Sequence, residues 1–221
     1  MQQKGAIIVL AWPETKVVHE GKWYDTPMRW LGILKKGYYT AGHAAFVLAD
    51  FETLEFKYYD FGRYHTPVKH GRVRTYETDP ELKLTTRIEL IDNNIQNLKE
   101  LMIELQSKKA CHGDGTLWAS IYKNINLSKA YKKADAMQNK GSICYGPLTI
   151  KGTNCSRFVS QVTKASTNCW FMKFILTFPY TISASPKFNI RIINSSLKYY
   201  TLAKDEELIN LSQDLIPKSA W

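Results

Sequence analysis

The run AIIVLAW, Ala6 to Trp12, is apolar at every position and is stopped by Pro13. Seven residues without a polar member cannot alternate between core and water, so the pattern predicts a short strand buried in the interior. The run is too short to span a bilayer and lacks the small-residue cleavage pattern of a signal peptide. The other apolar stretch, CWFMKFILTF from Cys169 to Phe178, contains Lys173 and is about half of the ~20 residues a span requires. A soluble, cytoplasmic protein with no transmembrane segment is expected.

Around that strand the chain reads as α+β. Tyr38–Leu48 (YYTAGHAAFVL) and Leu54–Phe61 (LEFKYYDF) flank the polar turn Asp50–Thr53 and predict an antiparallel hairpin. Leu82–Leu90, Phe171–Phe178 and Phe188–Ile193 are further strand candidates. Apolar residues at 95, 98, 101, 102 and 105 predict a helix over Ile95–Gln106. Ser128–Asn139 is a second helix, capped by Asn126 or Ser128. A third runs from Cys155 to about Ala165, and a last short one spans Asp205–Leu215. One helical turn is expected at Met28–Leu34. With 221 residues and neither repeats nor a linker, the chain reads as one domain, 1–221. Its core covers about 1–168, and 169–221 form a C-terminal extension.

The formal charge of +10 implies attraction to polyanions, but the cations are dispersed in pairs such as Lys35-Lys36 and Lys108-Lys109. Without a long basic run, nucleic acid is disfavoured as the partner. FGRYHTPVKHGRVR (Phe61 to Arg74) is the densest basic stretch, and Arg63, Arg72 or Arg74 can grip an anionic ligand such as a carboxylate. The four cysteines form no CxxC pair, which points to free thiols. In CHGDG (Cys111–Gly115) the ligand types are adjacent rather than at zinc-site spacing, so a tight glycine turn lining the cleft is expected in place of a metal site. No cofactor is called for.

In GTNCSRFV, Gly152–Val159, Cys155 is either a small buried hydrophobe or a nucleophile, and the choice turns on whether the chain supplies a base and a third polar group. Asn154 is placed to cap a helix whose first residue is Cys155, at the positive end of the helix dipole, where a thiolate is favoured. Phe158, Val159 and Val162 would pin that helix on a sheet. His43, after Gly42, lies on the first hairpin strand, opposite roughly positions 60 to 61 if the turn centres near 51 or 52. Asp60 is there. A carboxylate beside the imidazole fixes its tautomer and supports its protonated form. Cysteine, histidine and carboxylate in this arrangement are the parts of a cysteine hydrolase or acyltransferase.

NCSRFV is similar to the nucleophile motif of the permuted NlpC-like, papain-related superfamily, which includes lecithin–retinol acyltransferase-like proteins and bacterial permuted hydrolases. A bacterial family with AWPE, GHAAFVL, YYDFGRYHTP, GRVR, CHGDG and GTNCSRFV is also resembled, over about the first three-quarters of the chain. The resemblance implies a circularly permuted papain-like fold, a small central antiparallel sheet with the nucleophile helix packed on it. It also implies acyl transfer with Cys155 as nucleophile, His43 as base and acid, and Asp60 as orienting group. His65 in GRYHTP rivals Asp60 as the third member. Tyr145, ten residues before the cysteine in CYGP, resembles a tyrosine of NlpC-like peptidases that can donate toward an oxyanion; Asn154, Arg63 and His65 complete the substrate-binding candidates. Core packing is the alternative for Tyr145. The substrate class implied is a small peptide or acyl compound, with hydrolysis of a peptide or cell-wall-derived peptide as the leading version. A non-catalytic module binding an anion through the basic loop is the alternative.

Overall fold

The computed structural model describes residues 4–18, 34–35, 38–40, 42–146, 149, 151–179, 183–203 and 209–212. In chain order the strands are β1 (Gly5–Trp12), β2 (Lys16–Val18), β3 (Leu34–Lys35), β4 (Tyr38–Thr40), β5 (His43–Asp50), β6 (Glu55–Gly62), β7 (His70–Arg74), β8 (Leu90–Ile91), β9 (Asn94–Ile95), β10 (Leu117–Tyr122), β11 (Ile143–Cys144), β12 (Lys198–Leu202) and β13 (Ile209–Ser212). The helices are α1 (Leu98–Ser107), α2 (Leu127–Gln138), α3 (Cys155–Ser166), α4 (Trp170–Thr177) and α5 (Pro186–Ile192).

Eight strands form one antiparallel sheet in the order β11-β7-β6-β5-β1-β10-β12-β13. This is the α+β architecture read from the sequence, with a larger sheet than the small one expected. β1 lies between β5 and β10, and all eight of its residues are buried. Its uninterrupted apolar run follows from helices or loops covering both faces. Ile7, Val9, Ala44, Phe46 and Leu48 face a core shared with α2, α3, α4 and α5. Ile8, Leu10, Ala45, Val47 and Tyr58 face a second core, shared with α1.

β5 and β6 form the expected hairpin, closed by Asp50, whose Oδ1 accepts the backbone N–H of Glu52 at 2.9 Å. Its register is offset from the expected one. Asp60 lies opposite Ala45 rather than opposite His43. Because the offset is two residues, Asp60 stays on the face of His43 and reaches it diagonally. The strand also begins later than Tyr38. Gly42 has φ +68 and a Cβ there would lie 3.0 Å from the Trp12 carbonyl oxygen, so the chain bends at a position that suits glycine. Tyr38–Thr40 pairs instead with β2 and β3 in a separate three-stranded sheet.

Three strand expectations fail. Within Leu82–Leu90 only an isolated bridge of Arg87 to Glu55 and Leu90 at the start of β8 are strand-like, and several backbone N–H groups bond side chains instead. Thr85 and Thr86 donate to the Glu104 carboxylate at 2.7 and 2.9 Å, and Glu89 donates to Asn97 Oδ1. Phe171–Phe178 lies mostly in helix α4, with Met172 and Leu176, one turn apart, facing the core. Phe188–Ile193 falls largely in α5, started by Ser185 as cap and Pro186 at the first position. In Asp205–Leu215, Ile209–Ser212 is strand β13 and not helix; the remainder lies outside the described residues, as does Met28–Leu34 apart from Leu34. The first three helices match their expected spans within three residues at each end.

Candidate active site

α3 begins where the sequence places it. Asn154 Oδ1 accepts the Arg157 backbone N–H at 2.8 Å, capping the helix and setting Cys155 as its first residue. Phe158, Val159 and Val162 are fully buried against the sheet. Ser156 and Ser160 are buried too, and they meet α5 through polar bonds. Ser160 donates to Asn189 Oδ1 at 2.7 Å, and Asn189 Nδ2 donates to the Ser156 carbonyl at 2.8 Å. The helix carrying the cysteine is therefore held on nearly every side.

His43 is the first residue of β5 and stacks on Trp12, its partner across β1, at a ring separation of 5.8 Å. By strand alternation it belongs to the α1 side of the sheet, while Cys155 belongs to the α3 side. At the end of the sheet the two meet. Both line the same cleft, where the imidazole and the Ala44 backbone N–H favour the Cys155 thiolate. On its other side, His43 Nε2 lies 3.4 Å from Asp60 Oδ2, an ion-pair distance without the alignment of a full hydrogen bond.

Asp60 is fully buried and Arg74 is 2% exposed. Arg74 grips the carboxylate with both ends of its fork, Nε to Oδ1 at 3.0 Å and Nη2 to Oδ2 at 2.6 Å. The hydroxyls of Tyr58 and Tyr64 donate to Oδ2 at 3.2 and 3.3 Å. The Arg74 guanidinium lies 3.4 Å from the Tyr64 ring centre. From the sequence Arg74 is expected to grip an anionic ligand; in the structure it is committed to Asp60 instead.

Protonation follows from these contacts. Burial alone would lower the His43 pKa, but the neighbouring Asp60 carboxylate and Cys155 thiolate lift it from 6.5 to about 9. Burial would raise the Cys155 thiol; the nearby His43, with the Ala44 N–H and the Ser156 hydroxyl, brings it below its ordinary value. Asp60 is pushed up by burial but held below the usual carboxylate range by His43 and Arg74. The shifts run in one direction, toward a thiolate on Cys155 and a proton on His43, with the Asp60 carboxylate behind.

This line opens on a cleft of about 810 Å³ lined by Cys155, His43, Phe61, Arg63, Tyr145 and His112, among others. Tyr145 stacks on Phe61 at 5.9 Å with Arg63 over its ring, so it both packs on the sheet and faces the cleft. Asn154 acts on its own helix and does not line the cleft. His65 is exposed, with φ +49, and Asp60 rather than His65 stands beside His43. Of the three arginines of the basic stretch, Arg72 is held by Asp79 through two 2.7 Å bonds and Arg74 by Asp60, which leaves Arg63 on the cleft. The four cysteines are not in disulfides, and no described group of three or more His, Cys, Asp and Glu residues could hold a metal.

A family model described as type VI secretion system effector TseH-like matches residues 7–170. The crystal structure of the type VI secretion system effector TseH is similar over 94% of this chain and 98% of that one, with a TM-score of 0.56 and 16% identity. At that identity the likeness concerns the fold. No curated protein matches the chain.

Proposed function

Because the chain belongs to the type VI secretion system effector TseH-like family, we propose that it is an effector whose chemistry is thiol hydrolysis of an amide or ester bond. A peptide, including one derived from a cell wall, is the substrate class that the NlpC-like motif resemblance suggests. The single observation that carries this reading is the buried line Cys155, His43, Asp60 ending at a cleft, with the thiol below and the imidazole above their ordinary pKa values. Cys155 thiolate attacks the acyl carbon. The oxyanion develops beside the N-terminus of α3, where the Cys155 N–H has no helical acceptor. His43, already protonated, gives its proton to the leaving amine or alcohol, and the acyl group remains as a thioester on Sγ. The now neutral His43 takes a proton from water, which attacks the thioester and restores the thiolate and imidazolium. Asp60, fixed by Arg74, orients the imidazole and balances its charge. A thiol acyltransferase uses the same first half with a different acceptor, so the products decide between them.

The residues 1–221 act as one domain in this reading. None of the described helices is long and apolar enough to cross a membrane. The family's description makes export by the type VI route the proposed fate, in place of residence in the cytoplasm. A binding module acting through the basic loop is less well supported, since Arg72 and Arg74 are engaged within the protein.

The test is labelling by an activated peptide ester, followed by intact mass. One acyl group on the wild type, and none on Cys155→Ala or His43→Ala proteins with unchanged circular dichroism, is the expected result. Equal labelling of all three would refute the reading.

A further inference from the structure

The turn Cys111–Gly115 takes no part in the line from Cys155 to Asp60, yet it is fixed from several directions. Trp12 Nε1 donates to Gln106 Oε1 at 2.8 Å, and Gln106 Nε2 donates to the Gly115 carbonyl at 2.6 Å. The Asp114 N–H donates to Thr15 Oγ1 at 2.9 Å. Gly113 lies flat on the Trp12 indole, where a Cβ would come within 2.3 Å of ring atoms. Trp12 is thus shared: it stacks on His43 and seats this turn.

The residue so positioned is His112. It adopts φ 50, ψ 29, a left-handed conformation uncommon for a residue with a side chain. That conformation stacks its ring on Tyr64, at 5.1 Å between centres. The Arg74 guanidinium also lies against that ring, 3.4 Å from the Tyr64 centre. Arg74, Tyr64 and His112 form a stack that runs from the Asp60 clamp to the cleft. Cys111 packs in the α1-side core and the next residue, His112, lines the cleft that Cys155 lines from the α3 side. Burial and the nearby Arg74 charge keep the His112 imidazole below its ordinary pKa. As a neutral ring it offers one donor and one acceptor, the complement of an amide.

We propose that His112 contacts the substrate from the wall across the cleft from Cys155, exchanging hydrogen bonds with peptide groups beside the scissile bond, and so sets specificity for peptides. This rests on the thiol-hydrolase reading of the cleft. The two reactions that separate the roles are acylation of Cys155 by an N-acetyl-tripeptide 4-nitrophenyl ester and alkylation of Cys155 by iodoacetamide. The first needs peptide contacts and the second needs only the thiolate. His112→Ala is expected to lower kcat/KM for the ester about tenfold, chiefly through KM, the size of one lost hydrogen bond. Alkylation rate and melting temperature stay at wild-type values. His112→Asn, which tolerates the left-handed backbone and keeps a donor and an acceptor, recovers most of the loss. Unchanged acylation in His112→Ala overturns the proposal, as does an equal loss in both reactions. A wild type that is alkylated at Cys155 but never acylated overturns the hydrolase reading, and the proposal with it.

Discussion

Cys155 and Cys111 are both buried, yet their thiols are driven in opposite directions. Burial and the Asp60 charge push Cys111 up to about 12. Cys155 is drawn down because His43 and the Ala44 N–H favour its thiolate. What a cysteine does here is decided by the partner that its strand or helix delivers, and that partner is set by register. The sequence showed His43 and Asp60 on one face of a hairpin but gave the register by the assumed turn centre, two residues from the observed one. It survived because an even offset keeps the face. The pH dependence at this scale has opposing signs. His43 holds an extra proton in the folded state from 6.5 up to about 9, so its share of stability is full below 6.5 and is lost as pH rises through about 9. Cys155 holds one proton fewer from its lowered folded value up to the ordinary 9.0, so its share is lost as pH falls through that folded value. Where the windows overlap, the two nearly cancel. Within that overlap, from the folded Cys155 value up to about 9, the melting temperature of the wild type is expected to vary little, while that of Cys155→Ala falls with rising pH. A parallel pair of curves would contradict the coupling. At Asp60, replacement by Ala strands Arg74 in the interior and is expected to cost about 3–5 kcal/mol in denaturant unfolding.

At the scale of elements, α3 was the most legible part of the chain. Its cap and first residue lie in NCSRFV, and its buried Phe158, Val159 and Val162 follow at helical spacing, because capping and spacing are local properties. Asn154→Ala is expected to cost about 1 kcal/mol. Phe158→Ala, which empties a fully buried ring site between Phe46 and Phe61, is expected to cost about 3–5 kcal/mol. Urea unfolding midpoints check both, and near-equal losses would contradict the difference between a cap and a core ring. α4 and α5 were misread because aromatic and β-branched composition was weighed above spacing. Met172 and Leu176, and the Ser185-Pro186 start, carried the helical signal. α4 and its C-cap also leave Trp170, Phe171, Phe174 and Phe178 exposed, at the helical spacing that places them on one side of the helix. The Arg74 clamp was illegible for a different reason: charge pairs between strands depend on which strands become neighbours, and β6–β7 pairing is not a local property.

At the scale of the molecule, the site exists because the sheet ends where β5 begins. α3 approaches that end from one face, the Trp12-seated turn approaches from the other, and His43 stands between. The C-terminal residues belong to this frame as well. β12 pairs with β10, and α5 holds α3 through Asn189. A chain ending at Asn168 is therefore expected to lose cooperative unfolding, measured by urea titration with near-UV circular dichroism. A sharp, wild-type-like transition would show that 1–168 stands alone. The central claim, that Cys155 and His43 form one ionised couple, is tested most directly by the rate of Cys155 alkylation against pH, beside His43→Ala. The expected result is a wild-type ionisation well below the ~8.5 of a free thiol, returning toward that value without His43. An ordinary thiol profile, the same in both proteins, would contradict it.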